Sequence, residues 1–472
     1  MIKNFAKSLA LLGCFAAGLC SQASAQDSGA LLDALVKKGI LSDQEAEDIR
    51  TDLARDYATG SSAGKLDIAG NVTRLRLSGD ARVRYQYDNE IPNFGTNNLG
   101  VPVAPSAAKD RDRNRYRYRV RFGVTADLGA KWTTAFRIET ANGATSTNAD
   151  LAAGTDNFDK VGDVAYFGQA YLNYKDANVL GADTLDVRLG KVPHKFFAPG
   201  VNGFWIDTDL NFEGVAEELV YGLGSDGQLL SLRAGQFVLN NNAANANSIT
   251  NASVEPSLLL MAQAEFATKK FKVAPTVVAF AAPSAHDIGS ANTTVVWGSA
   301  TPNNPQSSDT AVYTDLYTVL VPFEYSTTLN SKPFAVYATY GYNLQGEERA
   351  LRMASATTTA QKALVDVEEQ MYNAGVRYGA NVLAGDYQLV AEYRYVGNGS
   401  YSSLLLDSDF NAGLLNGQGF ILSGTYSITP AVTSTITYFN SYNIEKTRIG
   451  GASRGNGFGE AQVLQIDLSA RF

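Results

Sequence analysis

"RDRNRYRYRVRF", residues 111–122, places an arginine at every second position and fills later intervening positions with Tyr116, Tyr118, Val120 and Phe122. Successive side chains of a β-strand point to opposite faces, so a strand would separate the charges from the aromatic and apolar residues. The arginines that would share one face are Arg113, Arg115, Arg117, Arg119 and Arg121. The stretch therefore predicts a strand whose two faces meet different surroundings.

Arginines with interleaved aromatic residues also suggest binding of single-stranded nucleic acid, in which bases stack on the rings. In this stretch the rings lie on the face opposite the arginines, so they could not stack bases that those arginines hold. The chain also has a formal net charge of −8, which disfavours a nucleic-acid-binding surface. We therefore expect no nucleic acid partner.

The first residues have the features of a secretory signal peptide. An apolar core at residues 8–20 follows two lysines and precedes the small residues Ala23–Ala25, which predicts a signal peptide over residues 1–25. A lipoprotein signal with Cys14 as the lipidated residue is a less favoured alternative. Because Cys14 and Cys20 both lie in the predicted signal peptide, the exported chain has no cysteine for a disulfide or a thiol site.

Residues 26–64 differ in pattern from the rest of the chain. Leucines at helical spacing are followed by Ser42 and Glu45, a capping-box pair that precedes a second amphipathic pattern. "TGSSAGK", residues 59–65, has the composition of a flexible linker. We predict a short periplasmic helical leader, which serves either in oligomerisation or as a mobile segment.

From residue 70 onward the hydrophobic period changes to two, the period of β-strands. Sixteen strands are predicted, near residues 72–87, 113–128, 131–141, 165–175, 184–191, 213–221, 228–239, 257–267, 271–281, 315–325, 333–342, 370–379, 386–396, 418–427, 431–441 and 462–472. Seven short connections alternate with eight long polar ones, at residues 88–112, 142–164, 192–212, 240–256, 282–314, 343–369, 397–417 and 442–461. This alternation predicts that residues 65–472 form an all-β transmembrane barrel of 16 antiparallel up-and-down strands.

The last strand, "QVLQIDLSARF" at residues 462–472, alternates apolar and polar side chains to its end. Such alternation suits a strand with lipid on one face and water on the other. The terminal Phe472 resembles the C-terminal assembly signal of outer-membrane β-barrel proteins, which implies the barrel assembly machinery as a partner.

The arginines of residues 111–122 must face the inside of such a barrel. One arginine on the lipid face at the bilayer midplane costs roughly 2–4 kcal/mol, so five of them there would be prohibitive. Further basic residues assigned to the same inner surface are Arg74, Arg76, Arg82, Arg84, Lys131, Arg137 and Arg188. We predict a pore-lining basic wall that concentrates anions.

The third long connection, residues 192–212, is unusually aromatic for a loop in water. Its aromatic residues are Phe196, Phe197, Phe204, Trp205 and Phe212. We predict that this loop folds into the barrel and packs on its wall, so that Asp207, Asp209 and Glu213 face the basic residues as a constriction. The alternative is an outer loop that packs on its neighbours or contacts another subunit.

Four stretches, "RNRYRYRVRFGVTADL", "AYLNYK", "VRLGKVPHKFFAPGV" and "WIDTDLNFEGVAEEL", resemble the putative β-barrel porin family of Gram-negative outer membranes. The resemblance implies a 16-stranded channel in the cell outer membrane, in contact with its lipid and lipopolysaccharide. It also implies a homotrimer that passes small hydrophilic solutes or ions, and it adds no catalytic residue.

The sequence favours a porin for passive diffusion, because diffusion needs only a suitable width and charge pattern. An anion-selective channel is the alternative if the three acids of the third loop pair elsewhere. A structural or adhesive barrel is less favoured, because the sequence has neither repeats nor a passenger domain.

An enzyme is not expected. The predicted mature chain has two histidines, His194 and His286, both in predicted outer loops exposed to water. A Ser/His/acid site on the barrel would need a strand histidine beside a serine. Two histidines without cysteine also disfavour a transition-metal site, and we expect neither a metal nor a cofactor.

Overall fold

The computed structural model describes residues 69–92, 111–129, 131–141, 146–152, 165–224, 227–240, 256–281, 315–353, 358–363, 365–444 and 458–472, with scattered positions between 36 and 49. It divides the chain into two units, Met1–Ala69 and Gly70–Phe472. The predicted signal peptide and linker lie outside the described residues. In the first unit, Glu45 N–H donates to Ser42 Oγ (3.3 Å) and Ser42 N–H donates to Glu45 Oε2 (2.8 Å), which are the reciprocal bonds of a capping box.

The second unit is an antiparallel sheet that closes on itself. In the part of the chain that the structure describes, the sheet has 18 strand segments, and the last segment pairs with the first. Their bounds are β1 (Arg74–Pro92), β2 (Arg111–Asp127), β3 (Trp132–Thr140), β4 (Ala149–Asp150), β5 (Ala165–Asp176), β6 (Thr184–Pro193), β7 (Asn211–Gly222), β8 (Leu229–Asn240), β9 (Ser257–Ala267), β10 (Phe271–Val273), β11 (Thr276–Ala281), β12 (Tyr317–Leu329), β13 (Lys332–Asn343), β14 (Gln370–Gly379), β15 (Tyr387–Val396), β16 (Gly417–Ser427), β17 (Val432–Asn443) and β18 (Phe458–Arg471).

The ring formed by the described segments has 16 strands, which confirms the predicted up-and-down barrel. β10 and β11 are one strand of this ring, interrupted at Pro275, which has no N–H to donate to a neighbouring strand. β4 has only two residues and was not predicted. It pairs with Arg117 and Tyr118 of β2, which extends beyond the end of β3. A closed ring leaves no sheet edge unpaired, as a lipid environment requires.

The alternation of side chains gives the ring an apolar outer face and a polar inner face. On the outer face Leu77, Val83 and Tyr116 are 56%, 53% and 45% exposed. On the inner face Arg84 and Arg117 are only 4% and 5% exposed. The outer face therefore suits hydrocarbon, and the charged groups are enclosed.

Helices are short and lie in the connections. α1 (Gly346–Met353) and α2 (Thr359–Lys362) lie between β13 and β14. Two 3-10 turns, Ser403–Leu405 and Asn411–Gly413, lie between β15 and β16. Among the described residues no helix has the length and apolar character to cross a membrane.

Candidate functional site

The arginines of β1 and β2 belong to a network of ion pairs. The register sets Arg82 directly opposite Arg119, where like charges repel. Carboxylates relieve this repulsion, since Asp80 lies 3.0 Å from Arg119 and 2.6 Å from Arg121. The other close pairs are Arg84–Asp467 (2.7 Å), Arg113–Asp88 (3.1 Å), Arg115–Asp88 (3.0 Å) and Arg117–Asp150 (2.6 Å). Most of these arginines are therefore paired with acids, and the basic pattern of the sequence alone did not show this.

The other residues assigned to the basic wall lie apart from this network or at its margin. Arg74 and Arg76 are exposed at the start of β1. Lys131, in the turn before β3, is also exposed and lies 2.5 Å from Asp176. Two further pairs are Arg137–Glu139 (2.8 Å) and Arg188–Asp186 (3.1 Å). The dense part of the network thus lies along β1 from Asp80 to Asp88 and along β2 from Arg113 to Arg121.

Residues 194–210, most of the third long connection, contact widely separated strands of the ring. Their hydrogen bonds to the wall include Phe197 N–H to Gln263 Oε1 of β9 (2.8 Å), Val201 N–H to Glu392 Oε2 of β15 (2.7 Å) and Arg121 Nη1 of β2 to Asp209 Oδ1 (2.9 Å). Phe204, Trp205 and Ile206 are almost completely buried. Because β2, β9 and β15 stand far apart around the ring, these contacts carry the segment across the interior.

Arg394 of β15 joins the third loop to the wall and is only 2% exposed. Its guanidinium donates to Glu392 Oε1 (2.8 Å) and to the carbonyl oxygen of Val201, and it lies 3.5 Å from Asp407. Two aromatic rings complete its surroundings, Phe204 (5.8 Å to the centroid) and Phe410 (5.5 Å). One buried cation therefore contacts both the third loop and the connection between β15 and β16.

The connection between β15 and β16, predicted as one of the long polar loops at residues 397–417, is largely buried in the structure. Tyr401, Leu405 and Phe410 are 0%, 3% and 4% exposed. Leu405 accepts a hydrogen bond from Asp207 N–H of the third loop (2.8 Å). The run "SLLLDSDF", residues 403–410, was the signal for burial, because four of its eight residues are large and apolar.

Two matching Asp-x-Asp motifs meet where these loops touch. In each motif the second aspartate's N–H donates to the first aspartate's Oδ1, over 2.8 Å from Asp209 to Asp207 and over 3.0 Å from Asp409 to Asp407. Asn202 Nδ2 lies 3.4 Å from Asp407 Oδ2 and 3.3 Å from Asp409 Oδ2. The two loops thus bring four carboxylates close together, although the two motifs lie 200 positions apart in the sequence.

The four carboxylates differ in their tendency to ionise. Burial and the nearby charge of Asp209 raise the pKa of Asp207 to about 7. Burial together with Asp409 and Asp207 raises the pKa of Asp407 well above its usual range. Burial acts in the same direction on Asp209 and Asp409, but neighbouring arginines outweigh it and lower the pKa of both. Each motif therefore combines one carboxyl whose pKa is raised with one whose pKa is lowered.

The three acids predicted for the constriction have different partners. Asp209 pairs with Arg119 (3.1 Å) and Arg121. Asp207 instead contacts the connection between β15 and β16, residues 397–416, which we call the second loop. Glu213 is 67% exposed at the start of β7 and lies 3.4 Å from Lys191. Of the three acids, only Asp209 thus pairs with the arginines of β2.

His194 does not have the water-exposed position expected of it. Its ring lies 6.1 Å from Phe212 and 6.5 Å from Phe196, and burial lowers its pKa to about 4. His286 lies outside the described residues. No cluster of three or more histidine, cysteine or acidic side chains suited to a metal ion occurs among the residues that the structure describes.

A cavity of about 580 Å³ lies between the network of β1 and the two loops. Asp207, Asp209 and Glu213 all line it. Its other lining residues include Arg82, Arg84, Asn148, Leu210, Phe212, Leu239 and Leu404. The interior thus keeps an open volume beside the segment that crosses it.

A closed barrel with an apolar outside and an ion-paired interior is the architecture of a bacterial outer-membrane channel protein. The chain belongs to the family described as "Putative porin", whose profile matches residues 38–311 and 324–472. No curated protein sequence matches the chain.

Solved porin structures are similar to the chain. OprB of Pseudomonas putida, in a high-pH structure, is 12% identical with a TM-score of 0.45, over 88% of this chain and 97% of that one. OmpF of Salmonella typhi, in a complex with daunomycin, is 11% identical with a TM-score of 0.42, over 86% of this chain and all of the other. A mutant Rhodopseudomonas blastica porin is 10% identical with a TM-score of 0.41, over 84% of this chain and all of the other.

Proposed function

We propose that this protein is a porin of the outer membrane that passes small hydrophilic solutes by passive diffusion. The observation that carries the proposal is a closed ring that encloses charged residues and an open cavity behind an apolar outer face. We propose that residues 194–210 form the constriction, with the second loop, residues 397–416, as their support. A channel of this kind requires no catalytic residue and no cofactor.

Swelling of liposomes that contain the purified protein tests this function. Sugars, amino acids and organic anions of graded size should enter at rates that fall with solute size. Exclusion of every solute by correctly folded barrels would contradict the proposal.

The ion pairs favour a general porin with a transverse field over a strongly anion-selective channel, because acids accompany most of the arginines of β1 and β2. Fixed charges along a narrow aqueous path set which ions enter it. The selectivity of the unmodified channel can be read from its reversal potential in a KCl gradient.

Replacing Arg117 and Arg119 together by serine should raise the ratio of cation to anion permeability severalfold. The change removes two enclosed positive charges and leaves Asp150 without its 2.6 Å partner. Reversal potentials before and after the change measure the effect. Lys269→Gln, in the turn between β9 and β10, removes a charge far from the interior and is the control. An unchanged reversal potential in the double variant would show that these arginines do not border the ion path.

We also propose that the barrel forms a homotrimer through the outer face of β6–β8. Glu217 lies in the middle of β7 on this face, between Val187 and Ala234 of the neighbouring strands, and it is exposed. A charged side chain at this position is unfavourable against hydrocarbon, so contact with a second copy would stabilise it.

The variant Glu217→Arg should therefore be monomeric in mild detergent, where the unmodified protein has the mass of a trimer. The barrel fold of the variant can be checked by the heat-dependent shift of its band in gel electrophoresis. A trimeric mass for the folded variant would place the subunit contact on another face.

A further inference from the structure

The cavity beside the third loop has two unlike walls. One wall carries the guanidinium groups of Arg82 and Arg84 and the amide of Asn148. Another part of the lining consists of aliphatic and aromatic side chains from the two loops and from β7–β9. Its volume of about 580 Å³ is in the range of small-molecule sites, roughly 300–1,000 Å³.

The apolar wall exposes hydrocarbon to the barrel interior. Leu210, Leu239 and Leu404 line the cavity and are only partly buried. Phe212 supports them through a stacked contact with Phe237, whose ring centre is 4.4 Å away. A path for fully hydrated solutes gains nothing from such a wall, whereas a solute with an apolar body would remove it from water.

Arg82 differs from the other arginines of the network in its pairing. Its closest contact with a carboxylate is 3.8 Å, to Asp467, whereas Arg84 lies 2.7 Å from the same group. Arg82 Nη2 donates to Asn148 Oδ1 (2.5 Å), and Arg119 lies opposite in register. Arg82 is therefore the least neutralised of the arginines around the cavity.

Two donors beside this wall lack a hydrogen-bond partner. Arg82 Nε and Thr147 Oγ1 are both buried and have no hydrogen-bond partner in the part of the chain that the structure describes. Both residues line the cavity. A carboxylate accepts hydrogen bonds from a guanidinium and a hydroxyl at once, and charge assistance strengthens the first of them.

The acids around the cavity hold a cation less well. Asp209 and Asp409 are engaged by arginines, at 2.9 Å from Arg121 and 3.4 Å from Arg84. Asp207 and Asp407 have raised pKa values, which reduces their negative charge near neutral pH. Glu139 and Glu213, the other two acids of the lining, pair with Arg137 (2.8 Å) and Lys191 (3.4 Å), so Arg82 is the charge without a close counter-ion.

We propose that this cavity binds small organic anions with an apolar body, such as aromatic or branched-chain monocarboxylates. The carboxylate lies against Arg82 and Thr147, and the hydrocarbon lies against Leu210, Leu239 and Leu404. The inference rests on the proposed channel function, and it specifies which solutes bind transiently inside the barrel as they pass through it.

Block of the chloride current by phenylacetate in planar bilayers tests the proposal. Acetate and phenethylammonium, which lack the apolar body and the negative charge respectively, are the comparison solutes and need no variant. Phenylacetate should reach half-block at a concentration at least about tenfold lower than either, because acetate lacks the apolar contact and phenethylammonium lacks the hydrogen bond to a charged group. Arg82→Gln should raise the half-blocking concentration of phenylacetate at least about tenfold, and Lys269→Gln should leave it unchanged.

Two results would overturn the proposal. One is equal block by phenethylammonium or acetate in the unmodified channel, and the other is an unchanged half-blocking concentration in Arg82→Gln. Absence of any chloride current would contradict the channel function instead. In that case, calorimetric titration of the detergent-solubilised protein with phenylacetate still decides on the site, since binding lost in Arg82→Gln supports it and absence of binding refutes it.

Discussion

Replacing Arg394 by methionine is expected to release the third loop from the barrel wall, to raise the single-channel conductance and to destabilise the protein. Arg394 is the counter-charge of Glu392 (2.8 Å), and it also lies 3.5 Å from Asp407; the side chains of these two acids are 0% and 3% exposed. Removing one partner of such a buried pair costs about 3–5 kcal/mol, because a charge is left uncompensated. Its bond to the Val201 carbonyl is also lost. Conductance in planar bilayers and thermal unfolding in detergent measure the two effects.

Arg377→Met is the matched control for this variant. Arg377 lies on the inner face of the neighbouring strand β14 and pairs with Glu324 (3.0 Å), but its side chain is 35% exposed. Exposed pairs contribute about 0–1 kcal/mol, so little change is expected. Loss of stability in Arg394→Met without a rise in conductance would mean that the third loop does not restrict the path.

Replacing Gly79 by alanine is expected to prevent closure of the ring between β1 and β18. Gly79 and Phe472 exchange two backbone hydrogen bonds, of 2.9 and 3.1 Å. A Cβ at Gly79 would lie 2.4 Å from the carbonyl oxygen of Arg121 and 2.5 Å from the ring of Phe472, so a strand would have to shift. Most of the folded barrel should therefore be lost, as measured by the heat-dependent shift of its gel band in isolated outer membranes. Deletion of Phe472 should have a similar effect, because it removes both hydrogen bonds and the proposed assembly signal.

Gly424→Ala, on the outer face of β16, is the control for the glycine change. A Cβ at Gly424 would have its nearest contact at 3.5 Å, with Leu389, which is an ordinary distance. Phe472→Ala separates the two roles of the terminal residue, because it keeps the backbone bonds and removes only the ring. Normal assembly of Gly79→Ala would refute the steric argument, and normal assembly of Phe472→Ala would refute the role of the ring as a signal.

The number of strands and the face of each residue could be predicted because a period of two is a local property of the chain. The alternating stretch of residues 111–122 lies in β2, and its arginines are on the face opposite the exposed Tyr116, Val120 and Phe122. β4 was missed because two residues do not form a pattern. Its pairing follows from the greater length of β2 than of β3.

The candidate site was predictable only in part, because the partners of its side chains come from distant parts of the chain. Aromatic content predicts the burial of the third loop, and the similar apolar signal in residues 403–410 is surrounded by the polar residues of a long connection. Charge alone assigned three acids to the arginines, whereas the structure pairs Asp209 with them and gives Glu213 to Lys191. A charge pattern shows which side chains need partners, and it does not identify the partners.

By itself the sequence determined the class of fold, the number of strands and the side of the wall on which each arginine lies. Only the tertiary structure decided which charges remain available within the ring. Arg84 meets Asp467, 383 residues away, because closure of the ring makes the first and last strands neighbours. Arg82, two residues earlier on the same face, is left 3.8 Å from that carboxylate. The strength of an ion pair depends steeply on such distances and on burial, and both are set by the closed ring and by the loops that fold into it.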